Sequence, residues 1–140
     1  MITKKDFEQF KKAIKKEDKW FDTCAFYMTK RQELLHTATV TLVGNFSYES
    51  QIKYYKDSIE RVDGYDTWTQ EEKDNNREHC LNNIQKYEDR LATYGTPEEE
   101  AQVRFEQLKN TNAFKKLAAM GVTIELVLDS KDCYSARFHY

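Results

Sequence analysis

The chain has 140 residues, enough for one ordinary domain and too few for two. Its formal net charge of -2 supplies no global drive towards nucleic acid or membrane. With only 4 glycines and 1 proline, it has little material for phosphate-cradling loops or many tight βα turns, which argues against a nucleotide-binding enzyme.

Thr3 is suited to cap a first helix, with Asp6 in the first turn. Apolar residues follow at Phe7, Phe10 and Ile14, and adjacent pairs recur every seven residues: Ala13-Ile14, Trp20-Phe21, Tyr27-Met28 and Leu34-Leu35. This stripe predicts helix over residues 3–35. Such a helix would be about 50 Å long, against a radius of gyration of about 14 Å for a domain of this size. It must therefore break near Glu17-Asp18, or project and pack on another copy of the chain.

Residues 36–43 alternate Ala38, Val40 and Leu42 with Thr37, Thr39 and Thr41, the pattern of a half-buried strand. Gly44-Asn45 reads as a turn. Tyr48, Ile52, Tyr55, Ile59 and Val62 fit a helix over 48–62, although Phe46 to Tyr54 also alternates as a hairpin strand would. Asp63-Gly64-Tyr65-Asp66 is a loop, and Thr69-Gln70-Glu71-Glu72 is a capping box opening a helix that ends at Gly95. Thr96-Pro97-Glu98-Glu99 is a second box with proline at the first helical position, so an αα-hairpin turn is expected around Gly95. Asn110-Thr111-Asn112 interrupts the following helix, which resumes to Gly121.

The C-terminal segment predicts a β-hairpin joined at Asp129-Ser130-Lys131-Asp132. Parity fixes its register, because a slip of one residue would oppose apolar to polar side chains. Ile124 then faces Phe138, Leu126 faces Ala136, Glu125 faces Arg137 and Thr123 faces His139.

The fold class these elements imply is α+β: four or so helices, including a long N-terminal helix and an αα-hairpin around Gly95, packed on a small antiparallel sheet. A single domain over residues 1–140 is expected. Isoleucine, leucine, valine and phenylalanine number only 29, so the 9 tyrosines and 2 tryptophans must supply part of the core.

Cys24, Cys80 and Cys133 are odd in number and widely spaced, and no apolar leader follows Met1, which points to reduced thiols and a cytoplasmic chain. Zinc needs four converging ligands. The available histidines and cysteines (His36, His79, His139 and the three cysteines) offer no such spacing, so no metal or cofactor is expected. The cysteines on apolar stripes read as small hydrophobes, and no nucleophile–base pairing is evident.

Three binding readings remain. Residues 57–78 carry 8 acidic and 3 basic residues. With the aromatic surplus, this favours a non-enzymatic protein that binds a macromolecular partner stoichiometrically through Trp20, Tyr27, Asp63, Asp66, Glu71 and Asp74. The first helix would then offer a route to a homo-oligomer. Lysine outnumbers arginine 16 to 6, a bias of AT-rich bacterial genomes and their phages and mobile elements, where small inhibitors and adaptors are common. The second reading is a nucleotide-like small ligand on the polar sheet face, at Glu125, Arg137 and His139. The third is nucleic-acid binding by Lys11, Lys12, Lys15 and Lys16.

Overall fold

Threonine starts most of the helices. Thr3, Thr29 and Thr69 each accept the backbone N–H three residues on, while the acid or amide there bonds back to the cap, closing full capping boxes. Thr111 caps a fourth helix in the simpler way. The computed structural model describes residues 2–44, 47–129 and 133–140. Its elements are α1 (Lys4–Glu17), a 3-10 turn (Lys19–Thr23), β1 (Phe26–Tyr27), α2 (Lys30–Leu34), β2 (Thr37–Val43), α3 (Tyr48–Asp63), α4 (Gln70–Tyr94), α5 (Pro97–Asn110), α6 (Asn112–Ala119), β3 (Thr123–Leu128) and β4 (Tyr134–His139). The fold class is α+β, as the sequence implied.

The chain divides into two compact units, Met1–Asn45 with Glu98–Tyr140, and Phe46–Pro97. The first is built on a four-stranded antiparallel sheet of order β1-β2-β4-β3. Its apolar face carries Ala38, Val40, Ala136 and Phe138, each fully buried. Phe138 is the hub of that core. Its ring meets Phe7 of α1 edge-on at 5.8 Å and Phe114 of α6 edge-on at 5.9 Å, arrangements favoured by the aromatic quadrupole. The α5–α6 break falls at the predicted Asn110-Thr111-Asn112.

The long first helix is not formed. It stops at Glu17, because Asp18 is extended (φ -144°) and its carboxylate accepts the N–H of Trp20 to open the 3-10 turn. The chain thus takes the broken alternative. The seven-residue recurrence of apolar pairs runs through four different elements and is no helical stripe. α1 buries Phe7, Phe10 and Ile14 within its own unit, and Trp20, Tyr27 and Leu34 lie on three other elements and not along one helix.

In the second unit, α3 and α4 pack antiparallel around Tyr48, Ser58, Val62, Cys80 and Ile84. Tyrosines do much of the filling: Tyr87 lies 5.7 Å from Tyr48 and 6.3 Å from Tyr55, whose ring meets His79 at 6.1 Å. The helical reading of 48–62 holds over its hairpin-strand rival. α4 ends at Gly95, with φ at 84°, and α5 opens on Pro97, as the boundary signals required.

The C-terminal hairpin has the predicted register at all four pairs. Within its loop, residues 130–132 lie outside the described residues, as does Asn45 of the predicted turn after β2.

Candidate functional site

The polar face of the sheet is assembled by register. β1, β2, β4 and β3 place Tyr27, Thr39, Arg137 and Glu125 in one cross-strand row, and Thr37, His139 and Thr123 in the next. α2 lies over this face and is tied to it by Gln32, whose Nε2 donates to Thr39 Oγ1 at 2.7 Å. Between α2 and the strands is a cleft of about 540 Å³ lined by Tyr27, Arg31, Gln32, Arg137, His139 and Asp129, among others. That size is ordinary for a small-molecule site.

Two features decide the chemistry of the cleft. Asp129, its one carboxylate, accepts the N–H of Cys133 at 3.1 Å and the hydroxyl of Ser135 at 2.9 Å, so its own hairpin fixes its orientation. Arg31 and Arg137 have no carboxylate within salt-bridge distance among the described residues. Burial, helped by Asp129, pushes the Tyr27 phenol above its ordinary value, so it is an uncharged hydroxyl at neutral pH.

The predicted ligand residues separate in role. Arg137 and His139 reach the cleft. Glu125 faces Arg137 in register, yet its carboxylate is held by His139, with Nε2 to Oε1 at 2.9 Å. Diagonal neighbours on a twisted sheet are within reach of long side chains, and the diagonal partner prevails here. Thr39 lies on the polar face that the sequence predicts, whereas Arg31 and Gln32 join the cleft from α2, outside that prediction. α2 was absorbed into the supposed long helix, although Thr29-x-x-Gln32 is a legible capping box.

The predicted partner residues lie in both units. Trp20 is half-buried, its ring 5.1 Å from Phe21 and beneath the Arg104 guanidinium at 4.0 Å. Tyr27 is a wall of the cleft. Asp63 ties α3 to α4: its carboxylate pairs with Arg77 and its carbonyl accepts from Lys73 Nζ at 3.1 Å. Asp74 accepts from Gln70 at 2.9 Å, and Asp66 and Glu71 are exposed beside it in sequence. Between these acids stand two further residues the sequence reading overlooked, Tyr65 and Trp68. Their rings lie 5.9 Å apart and are 38% and 37% exposed.

The lysines offered for nucleic acid sit on α1. Lys12 and Lys16 are exposed, whereas Lys15 folds over the Phe26 ring at 5.3 Å. That is the geometry of an aliphatic stem covering an aromatic core edge. The three cysteine sulfurs are thiols. Burial pushes the Cys24 thiol up to about 11, leaving it neutral and poorly nucleophilic at physiological pH. Among the described residues no group of three or more histidine, cysteine or acidic side chains is placed to hold a metal ion, and no helix is long and apolar enough to cross a membrane. No protein-family model, curated protein or solved structure matches the chain.

Proposed function

We propose that the protein acts by stoichiometric binding of a macromolecular partner with a basic surface, docking through the end of the second unit where α3 runs into α4. The observation that supports this is the Tyr65–Trp68 pair, two large rings tilted against each other at 5.9 Å and exposed among Asp66, Glu71 and Asp74. Tyrosine and tryptophan are the residues on which binding energy concentrates in interfaces. Surrounding charge of one sign steers the encounter and selects a partner of the other sign. Asp63 belongs to the helix–helix tie and not to the docking surface. An inhibitor or adaptor carried by a phage or mobile element is the kind of protein this describes.

The test is capture from host lysate followed by cross-linking. Asp66, Glu71 and Asp74 reversed together to lysine, and Trp68→Ala alone, are expected to abolish capture while leaving the circular dichroism spectrum and melting temperature in place. Two outcomes would overturn the reading. One is a partner that cross-links to Lys11 or Lys12 and is indifferent to those changes. The other is turnover of a substrate at sub-stoichiometric protein.

A further inference from the structure

The cleft between α2 and the sheet has a composition that folding alone does not require. Arg31 comes from α2 and Arg137 from the third strand of the sheet, so two separate elements each bring a guanidinium to one concavity. Neither is used in an ion pair among the described residues. Arg31 is exposed and Arg137 half-buried, and two cations lining one concavity make it attractive to an anion. The cleft's carboxylate, Asp129, is oriented by Cys133 and Ser135 of its own hairpin and forms no ion pair with either arginine among the described residues.

The geometry points to a second binding function: the cleft holds a small molecule bearing a phosphate monoester, its phosphate between Arg31 and Arg137 and its organic body against Tyr27. Guanidinium forks match phosphate oxygens in a bidentate manner. A carboxylate is satisfied by one such fork, whereas a tetrahedral dianion has oxygens for both. A cleft of about 540 Å³ is much larger than a bare phosphate needs. The remaining space is walled by the Tyr27 ring and Leu35, surfaces suited to a flat organic group such as a nucleobase. Gln32 and Thr39 are already joined to each other, so they shape the floor and leave recognition to the arginines. This function is independent of the docking surface at the end of α3 and α4.

Calorimetric titration of the intact chain with inorganic phosphate, adenosine monophosphate and adenosine separates the contributions. Saturable one-to-one binding of adenosine monophosphate is expected, with phosphate weaker and adenosine weakest. Hydrogen bonds to a charged group are each worth about 1.5–3 kcal/mol, so Arg31→Ala and Arg137→Ala should each weaken binding roughly tenfold or more. Trp68→Ala should leave it unchanged. Adenosine binding as tightly as its monophosphate would overturn the phosphate assignment, and so would an affinity in both arginine variants equal to that of the unaltered protein. Absence of saturable binding by both adenosine monophosphate and phosphate would overturn the proposal as a whole. Should either arginine variant fail to fold, amide shifts of the unaltered protein decide the question. Adenosine monophosphate must move Arg31, Thr39, Arg137 and His139, and shifts confined to other residues would overturn the site.

Discussion

The carboxylate of Glu17, the last residue of α1, accepts the backbone N–H of Asn112, the first residue of α6, at 2.7 Å. Its other oxygen accepts from Ala113 at 3.0 Å. One side chain thus satisfies two of the unbonded N–H groups at a helix start 95 residues away, with its charge at the positive end of the helix dipole.

Thr111 caps the N–H of Phe114 at the same helix start, and Glu17 serves two N–H groups that this local cap does not, so Glu17→Ala is expected to cost about 1–2 kcal/mol. Urea denaturation of the two proteins checks it. A loss no larger than that of Glu8→Ala, an exposed position on the same helix, would show that the cap carries no stability.

Glu100 is 1% exposed, and its burial raises the carboxyl above its ordinary value, with nearby Arg104 pulling the other way. The folded chain therefore binds this proton more tightly than the unfolded chain does. The stability contributed by Glu100 is greatest below the ordinary carboxylate range and falls as pH rises through the folded value. Glu100→Gln abolishes the titration, so it should gain on the unaltered protein from about pH 4 to neutrality. Urea midpoints of both proteins across that range are the measurement, and a difference that is flat or runs the other way refutes the expectation.

Arg137 and Ser135 stand two residues apart on β4 and should respond differently to removal. Arg137 makes no ion pair among the described residues, so Arg137→Ala should change stability by no more than about 0.5 kcal/mol. Ser135 is fully buried and donates to Asp129 at 2.9 Å. Ser135→Ala strips a carboxylate of a donor and should cost about 1–3 kcal/mol. Equal losses in thermal melts would mean that Arg137 has a structural task.

The thiols give a fourth expectation. Denatured, non-reduced protein should titrate as three thiols. In the native state Cys80, 1% exposed between α3 and α4, should be the slowest to alkylate. Cys24 should also be slow at neutral pH, because burial keeps it protonated. Mass spectrometry of peptides after timed iodoacetamide treatment reads both, and fast alkylation of Cys80 would show that the second unit opens readily.

Much of this architecture is local chemistry and could be read without the fold. Thr69 with Glu72, the Gly95–Pro97 boundary and the break at Asn110-Thr111-Asn112 each depend on residues within a turn of one another. The hairpin register follows from the two-residue period of Val122 to Leu128 and Tyr134 to Tyr140, since only one alignment puts Ile124 opposite Phe138. Tertiary structure decided what local pattern leaves open. The apolar pairs of residues 13–35 satisfy a helical period. The sheet, however, needs Tyr27 beside Thr39 as an edge strand, and Asp18 bonds Trp20 instead of continuing the helix. Which carboxylate meets which cation was likewise invisible: Glu125 faces Arg137 in register but bonds His139, because side-chain reach across a twisted sheet outweighs backbone pairing. Arg31 and Arg137 are 106 positions apart in sequence, and only the folding of α2 over β4's face brings them to one cleft.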